Sequence, residues 1–161
     1  MPMIESRLTD LGLILPATLQ PPPGVVLPFP MVNLRGSRAI VSGHGPLEAD
    51  GSLAYPRGKV GAEVSVEDAR LLARKTALAI LSSLKAELGD LDRITGWVKV
   101  LGMVNSAPGF NRQPEVINGF SEVILDLFGP GIGRHARSAV GMAALPFDIA
   151  VEIEAEVEIA S

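Results

Sequence analysis

The clearest hydrophobic pattern in the chain is a strict alternation near its C-terminus. Apolar residues at every second position of Ile149–Ile159 alternate with four glutamates, Glu152, Glu154, Glu156 and Glu158. A period of two places the apolar side chains on one face of a β-strand and the carboxylates on the other. The pattern predicts a strand that covers a core with one face and carries an acidic stripe on the other.

Two longer segments have the period of an amphipathic helix. The first begins at Ser65, which resembles an N-cap with acidic residues in the following turn, and ends at Gly89. The second begins at Pro114, has Glu115 in its first turn and ends at Gly129-Pro130. Apolar residues three and four apart within each segment predict helices that pack one face on a core.

Shorter apolar runs predict the remaining strands. They are a hairpin over Val32–Val41, a short strand over Leu53–Val60, a long strand over Ile94–Val104, and a strand over Ala139–Ala144. Together with the helices, this order favours an α/β protein of the two-layer α+β sandwich type. We expect a mixed sheet of five or six strands with two helices on one face.

The N-terminal part of the chain has a different character. Residues 4–11 predict a short helix, and six prolines follow at positions 16, 21, 22, 23, 28 and 30. Because proline fixes φ and lacks an N–H group, this stretch is expected to be an extended arm. We therefore divide the chain into a helix and proline-rich arm, residues 1–24, and a domain of residues 25–161. Without a leader-like or membrane-spanning apolar run, a cytoplasmic location away from membranes is expected.

The composition excludes several kinds of catalytic and binding site. The 161 residues include no cysteine and two histidines, which excludes disulfides, thiolate nucleophiles and cysteine metal sites. The formal net charge is -4, and the seven aromatic residues are few for stacking on bases, so nucleic acid is not an expected partner. The four alternating glutamates account for as many negative charges as the whole net charge, so the acidity is local.

Few single residues suggest a site on their own. His44 and His135 are expected to be exposed loop histidines, and the glycines of Gly129–Gly133 to form a turn rather than a phosphate loop, because they follow a helix. Glu152 could face a pocket, whereas the later glutamates favour a solvated face. Arg137 could hold a carboxylate through two parallel hydrogen bonds, although the residues alone favour a structural arginine.

Three groups of motifs favour a functional role for Arg137 and Glu152. The closing segment Ala136-Arg137-Ser138-Ala139-Val140, followed by Leu145-Pro146 and Val151–Ala155, resembles the signature of the YjgF/YER057c/UK114 family of reactive-intermediate deaminases, abbreviated Rid. Val41–Pro46 resembles its early Ser-Gly motif, and Ile117–Phe120 its asparagine-bearing helix. The resemblance implies a chorismate-mutase-like fold, assembled as a homotrimer with ligand clefts between subunits.

The resemblance also implies roles for particular residues. Arg137 corresponds to the arginine that binds the substrate carboxylate, and Glu152 to the glutamate that orients water. Ser42, Gly43 and Asn118 correspond to cleft residues. Ala139 occupies the substrate-binding position where many members have cysteine, and His44 replaces a usual glutamine. The tyrosine often found in the arm is not evident; Phe29 lies nearby but lacks the hydroxyl.

The implied function is hydrolytic deamination of reactive enamine and imine intermediates, such as 2-iminopropanoate, to 2-keto acids and ammonia. No metal or organic cofactor is implied. The alternative is a non-catalytic trimer that binds small carboxylates or 2-keto acids. The family's older label, endoribonuclease, gains little support from an acidic chain with few aromatic residues.

Overall fold

The computed structural model describes residues 3–161. Its helices are α1 (Met3–Asp10), α2 (Val66–Leu88) and α3 (Gln113–Gly133), and its strands are β1 (Val32–Arg35), β2 (Arg38–His44), β3 (Ile94–Asn105), β4 (Ala136–Met142) and β5 (Val151–Ile159). Short 3-10 turns, Leu91–Arg93 and Pro146–Asp148, precede β3 and β5. In these residues no helix has the length and apolarity needed to cross a bilayer.

The strands form one mixed sheet in the order β1-β2-β5-β3-β4. β3 and β4 pair in parallel, and the other neighbours are antiparallel. The alternation predicted for β5 is confirmed: its odd-numbered residues are buried beneath α2 and α3, while the four glutamates lie on the opposite, open face. The predicted class, an α+β sandwich with a mixed sheet of five or six strands and two helices on one face, is therefore confirmed, and the sheet has five strands.

Close helix packing depends on small residues. Ala69, Ala73 and Ala77 of α2 are fully buried. A side chain at Gly119 of α3 would clash with the backbone carbonyl of Arg70 on α2. These contacts set the distance between the two helices and thereby fix α3, which carries part of the candidate site described below.

The strand predicted over Leu53–Val60 is wrong. Leu53 forms a single bridge with Leu47, and Val60 bridges to residues outside any strand. Within the segment, Pro56 has no N–H to donate and Gly58 has a φ of 117°. Both features interrupt a β-ladder, so the segment packs as a loop and the sheet has five strands.

Helix and strand ends also differ from the prediction. β4 begins at Ala136, three residues before the predicted start, because it pairs with β3 from Lys99 onward. The expected turn after Phe128 is a kink: Gly129 has φ 71° and ψ 171°, and one more helical turn runs to Gly133.

The N-terminal helix and arm lie on the domain. Ile4 and Leu8 of α1 belong to the main core. The stretch from Pro16 to Pro30, called the arm from here on, is fixed at both ends, because Ser82 Oγ donates to the Pro16 carbonyl at 2.7 Å and Ser42 Oγ donates to the Pro30 carbonyl at 2.8 Å. The division of the chain at residue 24 remains a prediction.

Candidate functional site

A β-bulge near the end of β2 determines which side chains face the open side of the sheet. Val41 pairs with Ala155, but His44 pairs with Ile153, so three steps on β2 match two on β5. A bulge of this kind reverses the inward and outward alternation beyond it. As a result, His44 turns inward toward α2 and Gly43 faces the open side.

The prediction that His44 is an exposed loop residue is wrong. It is only 3% exposed, its Nδ1 lies 2.6 Å from the Ser42 carbonyl, and its Nε2 lies 2.8 Å from Ser83 Oγ. Because a carbonyl only accepts, Nδ1 carries the proton and Nε2 accepts from the serine hydroxyl. Burial lowers the pKa of His44, which keeps this ring neutral. The neutral ring ties the bulge to α2.

Gly43 and Glu152 lie against each other across the β2–β5 pair. A Cβ added to Gly43 would be 2.5 Å from Glu152 Oε2. Glu152 is half-buried, and burial, followed by the like charge of Glu154, raises its pKa. A raised pKa makes the Glu152 carboxylate a stronger base than an ordinary glutamate, which favours its accepting a proton from a bound molecule.

The Glu152 side chain borders a cavity of about 280 Å³ between the arm and the sheet. Leu27 and Phe29 of the arm form one wall, and Phe147 and Ile149 form another. Ser42 adjoins this group, but its hydroxyl binds the arm at Pro30. The structure thus brings three of the predicted residues, Ser42, Gly43 and Glu152, together; we call them the Glu152 group.

The cavity wall before β5 has an unusual backbone. Phe147 and Asp148 have φ values of 56° and 57°, in the left-handed region that non-glycine residues rarely adopt. Asp148 is held there because its carbonyl accepts from Gly58 N at 2.7 Å and its Oδ1 accepts from Asn105 Nδ2 at 3.0 Å. Strained residues that are held this firmly are concentrated at functional sites. The sequence motif included Leu145-Pro146 at the start of this loop but did not predict its backbone conformation.

Arg137 lies on β4 with its guanidinium oriented by α3. Its Nη1 donates to Asn118 Oδ1 at 2.9 Å and to Ser121 Oγ at 3.1 Å, and its Nη2 donates to the Pro114 carbonyl at 3.4 Å. Both Nη1 protons are therefore used, whereas Nε and one Nη2 proton remain. That edge is the one that binds a carboxylate with two parallel hydrogen bonds.

No carboxylate neutralises Arg137 among residues 3–161. It borders a shallow cavity of about 270 Å³ shared with Asn118, Ser121 and Arg134. Because neither arginine has an ion-pair partner within residues 3–161, this cavity is suited to an anion. Ala139, two residues along β4, faces the same side and packs on the core. We call Arg137, Asn118 and Ala139 the Arg137 group.

His135 supports this arrangement, although sequence reasoning placed it in an exposed loop. The ring is half-buried; Nδ1 lies 2.7 Å from the Gly133 carbonyl and Nε2 lies 2.9 Å from Ser121 Oγ. Nε2 therefore accepts the serine proton, which leaves the serine oxygen free to accept from Arg137. Burial, with a further contribution from the Arg137 charge, lowers the pKa of His135. His135 lies two residues before Arg137, and residues two apart on an extended segment share a face. This spacing was the signal in the sequence that could have placed the two side chains together.

Within one chain, the two groups lie apart. Arg137 is in register with Val100 and Ala155, three residues beyond Glu152 and two strands away. Strand spacing and rise place the two Cα atoms about 14 Å apart. In addition, Arg137 points to the helix side and Glu152 to the open side of the sheet. A single chain does not present both groups to one small acid.

One cluster of acidic residues, Glu5, Asp90 and Asp92, brings three carboxylates close together among the described residues. Each of these carboxylates has at least one partner, although Glu5 Oε2 is buried without one within residues 3–161. Asp92 accepts from the backbone N–H groups of Met3 and Ile4 at 2.6 and 2.9 Å, Asp90 accepts from Asp92 N at 2.8 Å, and Glu5 pairs with Lys85. The cluster attaches α1 to the domain.

The raised pKa of Glu152 leads to a stability prediction. Since the folded protein holds this proton more tightly than the unfolded chain, the resulting stabilisation is present below the ordinary glutamate pKa and is lost as pH rises through the raised value. Glu152→Gln should therefore raise Tm by about 1–3 °C at neutral pH and by about zero near pH 4. Calorimetry at both pH values measures this difference, with the exposed Glu158→Gln as the control. Equal shifts at the two pH values would contradict it.

Comparison with known proteins gives a consistent result over nearly the whole chain. Residues 5–155 match the family described as "YjgF/chorismate mutase-like, putative endoribonuclease". Protein TCP17 of Trypanosoma cruzi is 41% identical over 156 residues, which covers 97% of this chain and 94% of TCP17.

Solved structures agree. Atu1372 of Agrobacterium tumefaciens, a protein of unknown function, is 42% identical with a TM-score of 0.85, over 98% of this chain and 92% of that one. A protein of Shewanella oneidensis described as "a putative endoribonuclease" is 27% identical with a TM-score of 0.88, over 98% and 99% of the two chains. The similarity therefore extends across the N-terminal arm.

Proposed function

Because the chain belongs to the YjgF/chorismate-mutase-like family, as its motifs predicted, we propose that it hydrolyses reactive 2-imino acids and their enamine tautomers to 2-keto acids and ammonia. The observation that carries this proposal is Arg137. It has a pre-oriented guanidinium, a free Nε–Nη2 edge and no acidic partner among the described residues. Such a group is suited to bind the carboxylate of a small acid.

Arg137 would position the substrate. Its two remaining donors hold the carboxylate in one plane, and Asn118, with Ser121, fixes the plane of the guanidinium. Because the imine carbon is bonded directly to the carboxylate carbon, fixing the carboxylate also fixes the reacting atom.

Glu152 would accept and return the proton that moves during hydrolysis. A water oxygen bonds to the iminium carbon while Glu152 accepts one proton from that water, which gives a tetrahedral carbinolamine. Glu152 then returns the proton to the nitrogen. The C–N bond then breaks as the C=O bond forms, and the hydroxyl proton passes to the departing ammonia, so one protonated imino acid and one water give one 2-keto acid and one ammonium ion. The raised pKa of Glu152 supports both steps.

The separation of the two groups supports a site between subunits of a homotrimer. The imine carbon lies within one bond of the carboxylate, so Arg137 and Glu152 must approach the same few atoms. Since one chain holds them on opposite sides of the sheet, a neighbouring copy would complete each cleft. Ile40, Val140 and Met142 on the open face are more than a third exposed and would be covered in such an assembly.

The direct test measures how fast the protein hydrolyses a freshly generated imine. D-amino-acid oxidase and catalase generate 2-iminopropanoate from D-alanine, and semicarbazide traps the imine that survives. The protein should shorten the lifetime of the imine without consuming a cofactor. Binding of 2-ketobutyrate with no acceleration would favour the alternative, a carboxylate-binding trimer. That outcome would overturn the proposed hydrolysis.

A prediction for Gly43 tests the placement of Glu152. In Gly43→Ala the new Cβ would meet the Glu152 carboxylate at 2.5 Å, so the carboxylate must move. Because a displacement of about 1 Å can cost up to roughly 10²-fold in rate, we expect imine hydrolysis to fall about tenfold or more. The displaced atoms are the end of a flexible side chain, so Tm should change by only about 1–2 °C.

The matched control is Gly131→Ala, where nothing lies within 4 Å of the added Cβ. This variant should keep both rate and Tm. Full activity of Gly43→Ala would show that the Glu152 carboxylate does not act from its present position.

A further inference from the structure

We propose that the cavity between the arm and the sheet binds the side chain of the imino acid and favours long apolar side chains, of the leucine and phenylalanine type. Leu27 and Phe29 of the arm would set this preference. The inference rests on the proposed function, since it places the substrate beside Glu152.

The size and lining of the cavity support it. Its volume of about 280 Å³ exceeds the ~150 Å³ of an apolar cavity that accepts benzene. Apolar side chains form most of the wall, and Glu152 is the only charged residue among those that line it. His44, also in the lining, is buried with both ring nitrogens hydrogen-bonded. The cavity therefore has few free hydrogen-bonding groups for a polar substituent. It has a large apolar surface on which a hydrocarbon side chain can pack.

The geometry of the arm also supports it. Ala17 N donates to the Ala49 carbonyl at 2.9 Å, and Pro30 accepts from Ser42, so both ends of the arm are attached to the domain. Between them, Leu27 is half-buried toward the cavity, whereas the preceding Val26 is 87% exposed. An arm fixed at its ends presents Leu27 and Phe29 as a pre-formed wall, which reduces the entropic cost of closing on an apolar group.

The strained loop provides the opposite wall. Phe147 is 58% exposed although it is a large apolar residue, and its left-handed backbone directs it to the cavity rim. Two aromatic rings, Phe29 at 50% exposed and Phe147, thus flank the entrance. A hydrocarbon side chain that enters here would cover them both, whereas the methyl group of 2-iminopropanoate would leave the cavity unfilled.

The test compares two imines made in the same way. D-amino-acid oxidase converts D-phenylalanine and D-alanine to planar imines identical to those of the L-amino acids, and semicarbazide trapping gives kcat/KM for each. The wild type should favour the phenylalanine-derived imine. The double variant Leu27→Ala/Phe29→Ala should lower the ratio of the two kcat/KM values about tenfold or more, because several buried methylene-sized groups are lost.

The matched control is Val25→Ala/Val26→Ala, which removes apolar atoms from the exposed side of the same arm and should leave the ratio unchanged. An equal ratio in the wild type and in Leu27→Ala/Phe29→Ala, with both imines hydrolysed, would overturn the side-chain preference and leave the proposed function standing.

If the wild type accelerates neither imine, the proposed hydrolysis fails, and the preference is then measured by calorimetry. Tighter binding of phenylpyruvate than of pyruvate, lost in Leu27→Ala/Phe29→Ala, supports the cavity as an apolar side-chain site. Equal affinities overturn it.

Discussion

Replacing Arg137 with alanine is expected to lower kcat/KM for imine hydrolysis by about 10²- to 10⁴-fold. The expected size follows from the two donors on its free edge. Each hydrogen bond to a charged carboxylate contributes about 1.5–3 kcal/mol, and each 1.36 kcal/mol corresponds to a factor of ten. Arg137→Lys should recover less than about a tenth of the loss, because one ammonium cannot bind Asn118, Ser121 and two carboxylate oxygens together.

The control for Arg137 is Arg74→Ala. Arg74 lies exposed on α2, and its removal changes the net charge equally without touching either group. Affinity for 2-ketobutyrate should fall in parallel with kcat/KM in Arg137→Ala only. Unchanged hydrolysis by a folded Arg137→Ala protein would show that the carboxylate is bound elsewhere.

The regular elements could be predicted because each has a strong period. The alternation of β5 and the three-and-four spacing of α2 and α3 match the buried faces of the structure. The failure at Leu53–Val60 has a local cause: apolar residues were present, but Pro56 and Gly58 interrupt pairing. Such interruptions are visible in the sequence and outweigh a short apolar run.

The bulge in β2 was not visible in the sequence. Strict alternation from Ala39 and Val41 would have turned Gly43 inward and His44 outward, whereas one extra residue reverses both. The burial of His44 and the contact of Gly43 with Glu152 both depend on that residue. The register of a sheet is a long-range property, so a local period does not reveal where a strand gains a residue.

The candidate site shows the same division between local and long-range information. The family motifs predicted Arg137 on the strand and Asn118 on the second helix, and these roles stay predictions. The roles of Ser121 and His135 in orienting the guanidinium depend on how α3 crosses β4, which only the tertiary structure gives. Likewise, the distance between the Arg137 and Glu152 groups follows from the strand order, which periodicity does not determine.

Mixing two inactive variants is expected to restore activity. Arg137→Ala lacks the carboxylate-binding group and Glu152→Gln lacks the proton acceptor, so each alone should be reduced at least about 10²-fold. If every cleft takes Arg137 from one subunit and Glu152 from the next, a mixed trimer has one cleft in which both residues are intact. Trimers that carry both variants, selected by two successive affinity tags, should therefore show about a third of wild-type activity.

The physical reason is the position of the two groups in one chain: their Cα atoms lie about 14 Å apart, on opposite sides of the sheet. The control is a trimer assembled from two differently tagged Arg137→Ala chains, which should stay inactive. Mixed trimers that also stay inactive, although each parent trimer is folded and of the same size, would place both residues of a cleft in the same chain. That result would require Arg137 to leave Asn118 and Ser121 and turn across β4 to reach Glu152.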